Sequence, residues 1–294
     1  FTDEELEKAA QHLGQYDIVF SSYIGDVTPF LLMQTVNKRY GTKLVLDFDD
    51  DVFSINPDNP FWNKMTDENA YFMQNMAKLT DNICVTTKVL ADKFNDRREQ
   101  PSNSTTVIPN MISDHYKGRE FDNGEKIVVG YFGGSTHYRD LHESGAIQAV
   151  EKIMHKHKNV HFKLVNLPTA HYTPRGRTHY VDGIGGSGWV DKLHPTLDID
   201  ISLIPVLDNQ FNAGKSNIKW QESTRGNMAT ICSKLEPYLS LPNTATIHVD
   251  NTQEAWFEAI EHLLDEHKRT KMLKGAQKHL LTYRLEDNWF MYQE

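Results

Sequence analysis

Short apolar runs rich in β-branched and aromatic residues alternate along the chain with segments of helical period, and this alternation predicts βα units and a parallel sheet. The runs at 17–22, 43–48, 82–87 and 105–109 read as strands, with helices at about 26–40, 66–79 and 88–96 between them. The stretch 113–126, SDHYKGREFDNGEK, has no hydrophobic period, two glycines and charges of both signs, so it reads as a linker. Alternation then restarts. Strands are expected at 127–132, 160–166, 198–205 and near 229–232 and 246–249, and helices at 140–158, from Lys215 onward, and at 252–267, 269–282 and 285–293. The fold class is therefore α/β, with two Rossmann-like domains facing each other across a cleft. The expected limits are 1–117 for the first domain, 126–275 for the second, and a terminal segment, 276–294, that packs back on the first. In such sheets ligands bind in the loops beyond the strand carboxyl ends, so those loops are where chemistry is sought.

The 294 residues fit about two domains. With 39% hydrophobic, 24% charged and 11% aromatic residues, the chain supplies two ordinary cores without disulfide or metal staples. Thirty-one basic against forty acidic residues give a net charge of −9, which argues against a broad non-specific nucleic-acid surface but leaves room for a local basic pocket. Cys84 and Cys232 each sit inside an apolar run, as buried thiols of a reducing compartment do. No apolar stretch approaches the ~20 residues of a membrane span, and no signal-peptide pattern is present, so a cytoplasmic protein is expected. The chain opens at Phe1 and passes almost at once into an acidic helix, DEELEKAAQHL, which leads us to expect a first domain shortened at its N-terminus.

Three segments carry candidate chemistry. In FNAGKSNIKWQESTRGN (211–227), a helix opening at Lys215 sets Lys215, Lys219 and Glu222 at i, i+4 and i+7 on one stripe. Two ammonium groups beside a helix N-terminus suit a diphosphate, and Glu222 suits a ribose diol. A solvated helix face with a Lys–Glu pair is the alternative. In GYFGGSTHYRD (130–140), Gly133 and Gly134 let a backbone approach phosphate, with Ser135 in the same turn and His137 and Arg139 to neutralise charge. A tight strand-to-helix turn without ligand explains the glycines equally well. In VLDFDDDVF (45–53), four carboxylates fall within five residues; Asp47 and Asp49 share a strand face, while Asp50 and Asp51 enter the loop. They read as a D-x-D metal site, as helix caps, or as a cleft-lining cluster that orients acceptor hydroxyls or faces a positively charged transition state.

Taken in order, the strand with its D-x-D-D-D, then VTTKVLADKF, VIPN, GYFGGSTHYRDL and DISLIPVLDNQFNAGKSNIKWQE, the sequence resembles GT-B glycosyltransferases of the large retaining, nucleotide-sugar-dependent group. It is most similar to a branch found in bacteria and their phages with FN-x-x-KS-x-x-K-x-x-E in the donor site. The resemblance runs from about Tyr16 to Tyr283, and the KS-x-x-K-x-x-E segment is its most specific part. It implies a donor diphosphate on the Gly133–Gly134 turn, Ser135, Arg139, Lys215, Ser216 and Lys219, and a nucleotide ribose on Glu222, the second glutamate of an E-x7-E motif. Gly214 stands where the first glutamate of that motif would be. Thr86, Thr87 and Asn110 match positions facing the cleft from the first domain, with Asp47 beside them. Asp49 and Asp50 stand where many relatives carry a catalytic-site histidine, and with His137 they form the expected catalytic set. The Gly-rich loop that opens the first domain of this group is absent.

The activity this implies is transfer of a sugar, with retention, from a nucleotide-sugar to an acceptor hydroxyl. No metal and no cofactor are expected, because lysines and amides stabilise the leaving diphosphate. The acceptor is open: a glycan, a small molecule, a protein, or modified DNA if the source is a phage. The rival readings are a nucleotide-sugar epimerase of the same architecture and a non-catalytic relative that binds sugar nucleotides.

Overall fold

The structure is a computed structural model that describes residues 2–22, 26–55, 57, 59, 62, 66–97, 104–118, 125–134, 137–167, 176–185 and 188–292. The chain divides into two compact units, Phe1–Pro109 with Gly214–Ser216, and Asn110–Ala213 with Asn217–Glu294.

In the first unit β1 (Ile18–Ser22), β2 (Lys43–Phe48), β3 (Asn82–Val85) and β4 (Ser104–Val107) pair in that order, all parallel. The crossovers carry the helices Val27–Tyr40, Asp67–Leu79 and Lys88–Asn95, within two residues of the sequence expectation. Alternation in β2 buries Leu44, Leu46 and Phe48 against Met33, Met73, Met76, Leu90 and Phe94. Asp47 accordingly projects from the opposite face of the sheet. Thr66 and Thr87 accept hydrogen bonds from backbone amides and so start the two later helices where the sequence places them. Burial falls off along the edge strand β1, where Ile18 and Phe20 remain exposed.

The second unit contains β5 (Ile127–Phe132), β6 (Val160–Val165), β7 (Thr178–Val181), β8 (Ile201–Ile204), β9 (Ala229–Ser233) and β10 (Ile247–Val249). They form one parallel sheet in the order β10-β9-β8-β5-β6-β7. Counted within the unit this is the doubly wound arrangement 3-2-1-4-5-6, whose strand order reverses between β5 and β8. Val129, Tyr131, Phe162, Leu164, Ile201 and Ile231 pack one face of the sheet against the helices Ala146–Lys156 and Gln253–Leu263. Both cysteines are buried in strands, Cys84 in β3 and Cys232 in β9.

Five features differ from the sequence reading. The helix expected over 140–158 is two, Tyr138–Glu143 and Ala146–Lys156, broken at Gly145 with φ +88°. The loop-rich stretch contains β7, a half-exposed edge strand, and a π-helical turn, Trp189–Leu193, that runs into a 3-10 turn, His194–Thr196. The helix expected from Lys215 begins at Ile218. The described part of the expected linker belongs to the second unit, where Tyr116 is buried. The terminal residues 276–292, expected against the first domain, group with the second unit, and Ile112 bridges to Arg284 there in parallel. Among the described residues no helix is long and apolar enough to cross a membrane.

Candidate functional site

The reversal of strand order puts the loops after β5 and β8 side by side at the carboxyl edge of the second sheet, and a buried aspartate ties them together. Asp140 accepts a hydrogen bond from the Leu207 amide at 2.9 Å and from Asn212 Nδ2 at 2.9 Å, and its other oxygen lies 2.9 Å from His137 Nδ1. Burial raises the Asp140 carboxyl, but the His137 hydrogen bond and charge, with the Leu207 and Asn212 donors, outweigh it and hold the group below the usual carboxylate range. His137 is thereby fixed at the start of the helix that follows the Gly133–Gly134 turn.

Lys219 lies on the next element, in the first turn of the helix Ile218–Arg225. Its ammonium sits 4.7 Å from the centre of the Tyr131 ring and 3.3 Å from the Tyr131 hydroxyl. A Cβ on Gly133 would lie 2.8 Å from Lys219 Nζ and 2.8 Å from the Tyr131 hydroxyl, so only glycine fits while the ammonium occupies this place. Gly133 and Lys219, 86 positions apart in sequence, therefore meet at one point.

One turn further along the same helix, Glu222 Oε1 accepts a hydrogen bond from the Tyr116 hydroxyl at 2.8 Å and from Trp189 Nε1 at 3.0 Å. Among the described residues its Oε2 accepts none. Burial raises the Glu222 carboxyl, and the two donors and the Lys219 charge oppose that rise. The reciprocal effect raises the Tyr116 phenol well above its usual value through burial and the Glu222 charge. Beneath them His194, fully buried, directs Nε2 at the Glu222 carbonyl oxygen at 3.0 Å and packs edge-on to Tyr116 and Trp189. Burial lowers its pKa to about 4, against the opposing backbone contacts to Glu222 and Lys117, so His194 is neutral at pH 7.

Lys215 is not on this stripe. It precedes the helix, groups with the first unit together with Gly214 and Ser216, and faces Asp50 at 3.5 Å. Asn217 is the helix N-cap residue, and its side chain engages Gln221 and Tyr283. Gly214 accepts a hydrogen bond from Thr87 at 3.0 Å, and a Cβ there would meet Leu90 at 2.9 Å and the Asp51 Cβ at 3.3 Å. A side chain at this position would require Leu90 and Asp51 to shift.

The acidic cluster of the first unit separates into distinct roles. Asp51 is buried, pairs with Lys93 and accepts the Phe53 amide at 3.2 Å, which makes it a loop-forming residue. Desolvation, then the Asp50 charge, raise Asp49, with Lys215 opposing. Desolvation, then the Asp49 charge, raise Asp47. The Thr86 hydroxyl reaches the Asp49 carbonyl at 3.4 Å, and Thr87 serves as a helix cap.

Of the remaining candidates, Arg139 forks to Glu143 on the solvent side of its own helix. Asn110 falls in the second unit, where its carbonyl accepts Gln221 Nε2 at 2.7 Å. Ser135 lies outside the described residues. Sequence reasoning did not single out Tyr116, Asp140, Trp189 or His194. Among the described residues no group of three or more His, Cys, Asp and Glu side chains could hold a metal ion.

No protein-family model matches the sequence, and no curated protein matches it. Solved structures match it in fold. HepE from Anabaena, in complex with UDP and glucose, is 12% identical with a TM-score of 0.66 over 95% of this chain and 77% of that one. Sucrose-phosphate synthase from Thermosynechococcus elongatus is 11% identical with a TM-score of 0.66 over 100% and 78%. A UDP-forming α,α-trehalose-phosphate synthase from Burkholderia xenovorans is 12% identical with a TM-score of 0.59 over 97% and 77%. The shared fold is GT-B, α/β with two Rossmann-like parallel sheets.

Proposed function

We propose that the protein is a GT-B glycosyltransferase whose second unit binds a nucleotide-sugar donor and whose first unit serves the acceptor. The observation that carries this reading is the meeting of Lys219 and Gly133 at the strand-order reversal, where doubly wound sheets bind their ligands. A diphosphate there accepts hydrogen bonds from the Lys219 ammonium and the amides of the glycine turn, and His137, held by Asp140, adds a donor. These groups are in place before reaction and stabilise the charge that develops on the leaving diphosphate as the glycosidic bond breaks. Glu222, with one oxygen fixed by Tyr116 and Trp189, offers the other to the ribose diol.

In this reading Asp49 or Asp50 orients the acceptor hydroxyl or faces the oxocarbenium-like sugar, and transfer retains configuration without a metal. The match with structures solved with UDP supports a uridine nucleotide as the first donor to try. The test is release of nucleoside diphosphate from UDP-, GDP- and ADP-sugars, with and without EDTA. Turnover of at least one donor, unchanged by EDTA, is expected. Absence of turnover with tight donor binding selects the second reading, a non-catalytic binding relative, which Gly214 favours because glycine stands in place of the first glutamate of the E-x7-E pattern. Isomerisation of the sugar nucleotide without transfer selects the epimerase.

A further inference from the structure

The second unit contains a pocket of about 340 Å³ at the carboxyl end of the helix Ile218–Arg225, and its walls include none of Gly133, Lys219 or Glu222. This volume is at the small end of ligand pockets and suits a single pyranose ring. One wall is apolar, made of Ile112, Leu280 and Leu281, and Leu281 is 62% exposed. The polar part of the lining carries Asp114, Arg225, Arg284 and Gln277.

The charges of this wall are already met. Arg225 pairs with Asp114 at 3.3 Å, and Arg284 pairs with both Asp114 and Asp287. An anionic ligand would have to displace a carboxylate, whereas a neutral one would not. Hydrogen-bonding capacity remains. Gln277 spends Nε2 on Asn227 at 2.7 Å, and among the described residues its Oε1 accepts nothing. Arg225 uses Nε on the Tyr116 carbonyl and Nη2 on Asp114, and its Nη1 donates to no described residue. Thr224, also in the wall, is fully buried, and among the described residues its hydroxyl has no partner, a loss that folded proteins rarely leave unanswered.

Donors and acceptors of both kinds, no unmet charge and apolar side chains beside them match the chemistry of a sugar ring, which presents hydroxyls around its edge and C–H groups on its face. We propose that this pocket is a binding site for a neutral pyranose, separate from the donor site and independent of the reading given above for that site.

The experiment is titration of methyl glycosides of glucose, galactose, mannose and N-acetylglucosamine, followed by saturation-transfer NMR and calorimetry, on the wild type and on Thr224→Val and Gln277→Leu. At least one glycoside is expected to bind, and each variant to weaken it fivefold or more with unchanged melting temperature. Gln277 is exposed on its helix, so its variant decides the matter if Thr224→Val fails to fold. Binding of none of the four glycosides, equal binding by the folded variants, or tighter binding of inorganic phosphate than of any glycoside overturns the proposal.

Discussion

Lys219 holds its ammonium where any side chain on Gly133 would have to be, 2.8 Å from the place of the missing Cβ. Tyr131, fully buried, crowds the same point with its hydroxyl, also 2.8 Å from that place, and has no room to give. Gly133→Ala should therefore displace the ammonium rather than the ring. The expected outcome is weaker nucleoside diphosphate binding and a stability loss of about 1–3 kcal/mol from overpacking. Calorimetry and urea unfolding on the same variant check both.

Tyr116 and Trp189 fix one oxygen of Glu222, and removing either donor frees that carboxylate to turn. Tyr116→Phe and Trp189→Phe should each lower the preference for UDP over 2′-deoxy-UDP severalfold while the diphosphate contacts persist, a loss of about 0.5–1.5 kcal/mol per hydrogen bond, or more if the carboxylate is charged. Equal discrimination in both variants would remove Glu222 from ribose recognition.

His194 makes stability depend on pH. Its folded pKa of about 4 lies below the ordinary value of 6.5, so the unfolded chain binds more protons between these limits. Stability is present above 6.5 and is lost as pH falls toward 4, by about 3 kcal/mol at 1.36 kcal/mol per unit. His194→Gln, which keeps a donor toward the Glu222 carbonyl and cannot titrate, should flatten that slope in urea unfolding measured across the same range.

The arrangement around Glu222 also marks where the sequence stopped being informative. Strands β2, β3, β5 and β6 were legible because their side chains follow the pleat or fill a two-sided core, and Thr66 and Thr87 mark helix starts by their own chemistry. The start at Ile218 was misplaced because the lysine period runs on from Lys215 without interruption. Asn217, a favoured N-cap residue, is the signal that would have corrected it. Tyr116 and Trp189 reach Glu222 across 106 and 33 positions, and no local pattern encodes such a contact. The glycine turn and Lys219 were each readable, whereas their meeting depends on how β5 and β8 come to be neighbours.

The acidic loop separates fold from activity. Asp47 is raised by desolvation and the Asp49 charge, and Asp49 by desolvation and the Asp50 charge, so each ionised group costs the folded state stability above the usual carboxylate pKa. Asp47→Asn should raise the melting temperature at neutral pH, and the gain should vanish as pH falls below about 4, where the carboxyl is protonated in both states. Asp49→Asn and Asp50→Asn should keep donor affinity and lose at least about tenfold in transfer rate, ~1.4 kcal/mol of barrier. Full activity in both would take the cluster out of the mechanism.

The most direct test of the donor site is calorimetric titration of UDP, GDP and ADP into the wild type and Lys219→Ala. A lysine that contacts the diphosphate through charge-assisted hydrogen bonds contributes roughly 1.5–3 kcal/mol, so at least one nucleotide should bind the wild type and bind the variant about ten- to a hundredfold more weakly, with folding intact. Equal affinity in a folded Lys219→Ala would contradict the account and leave Lys219 as a structural neighbour of Tyr131.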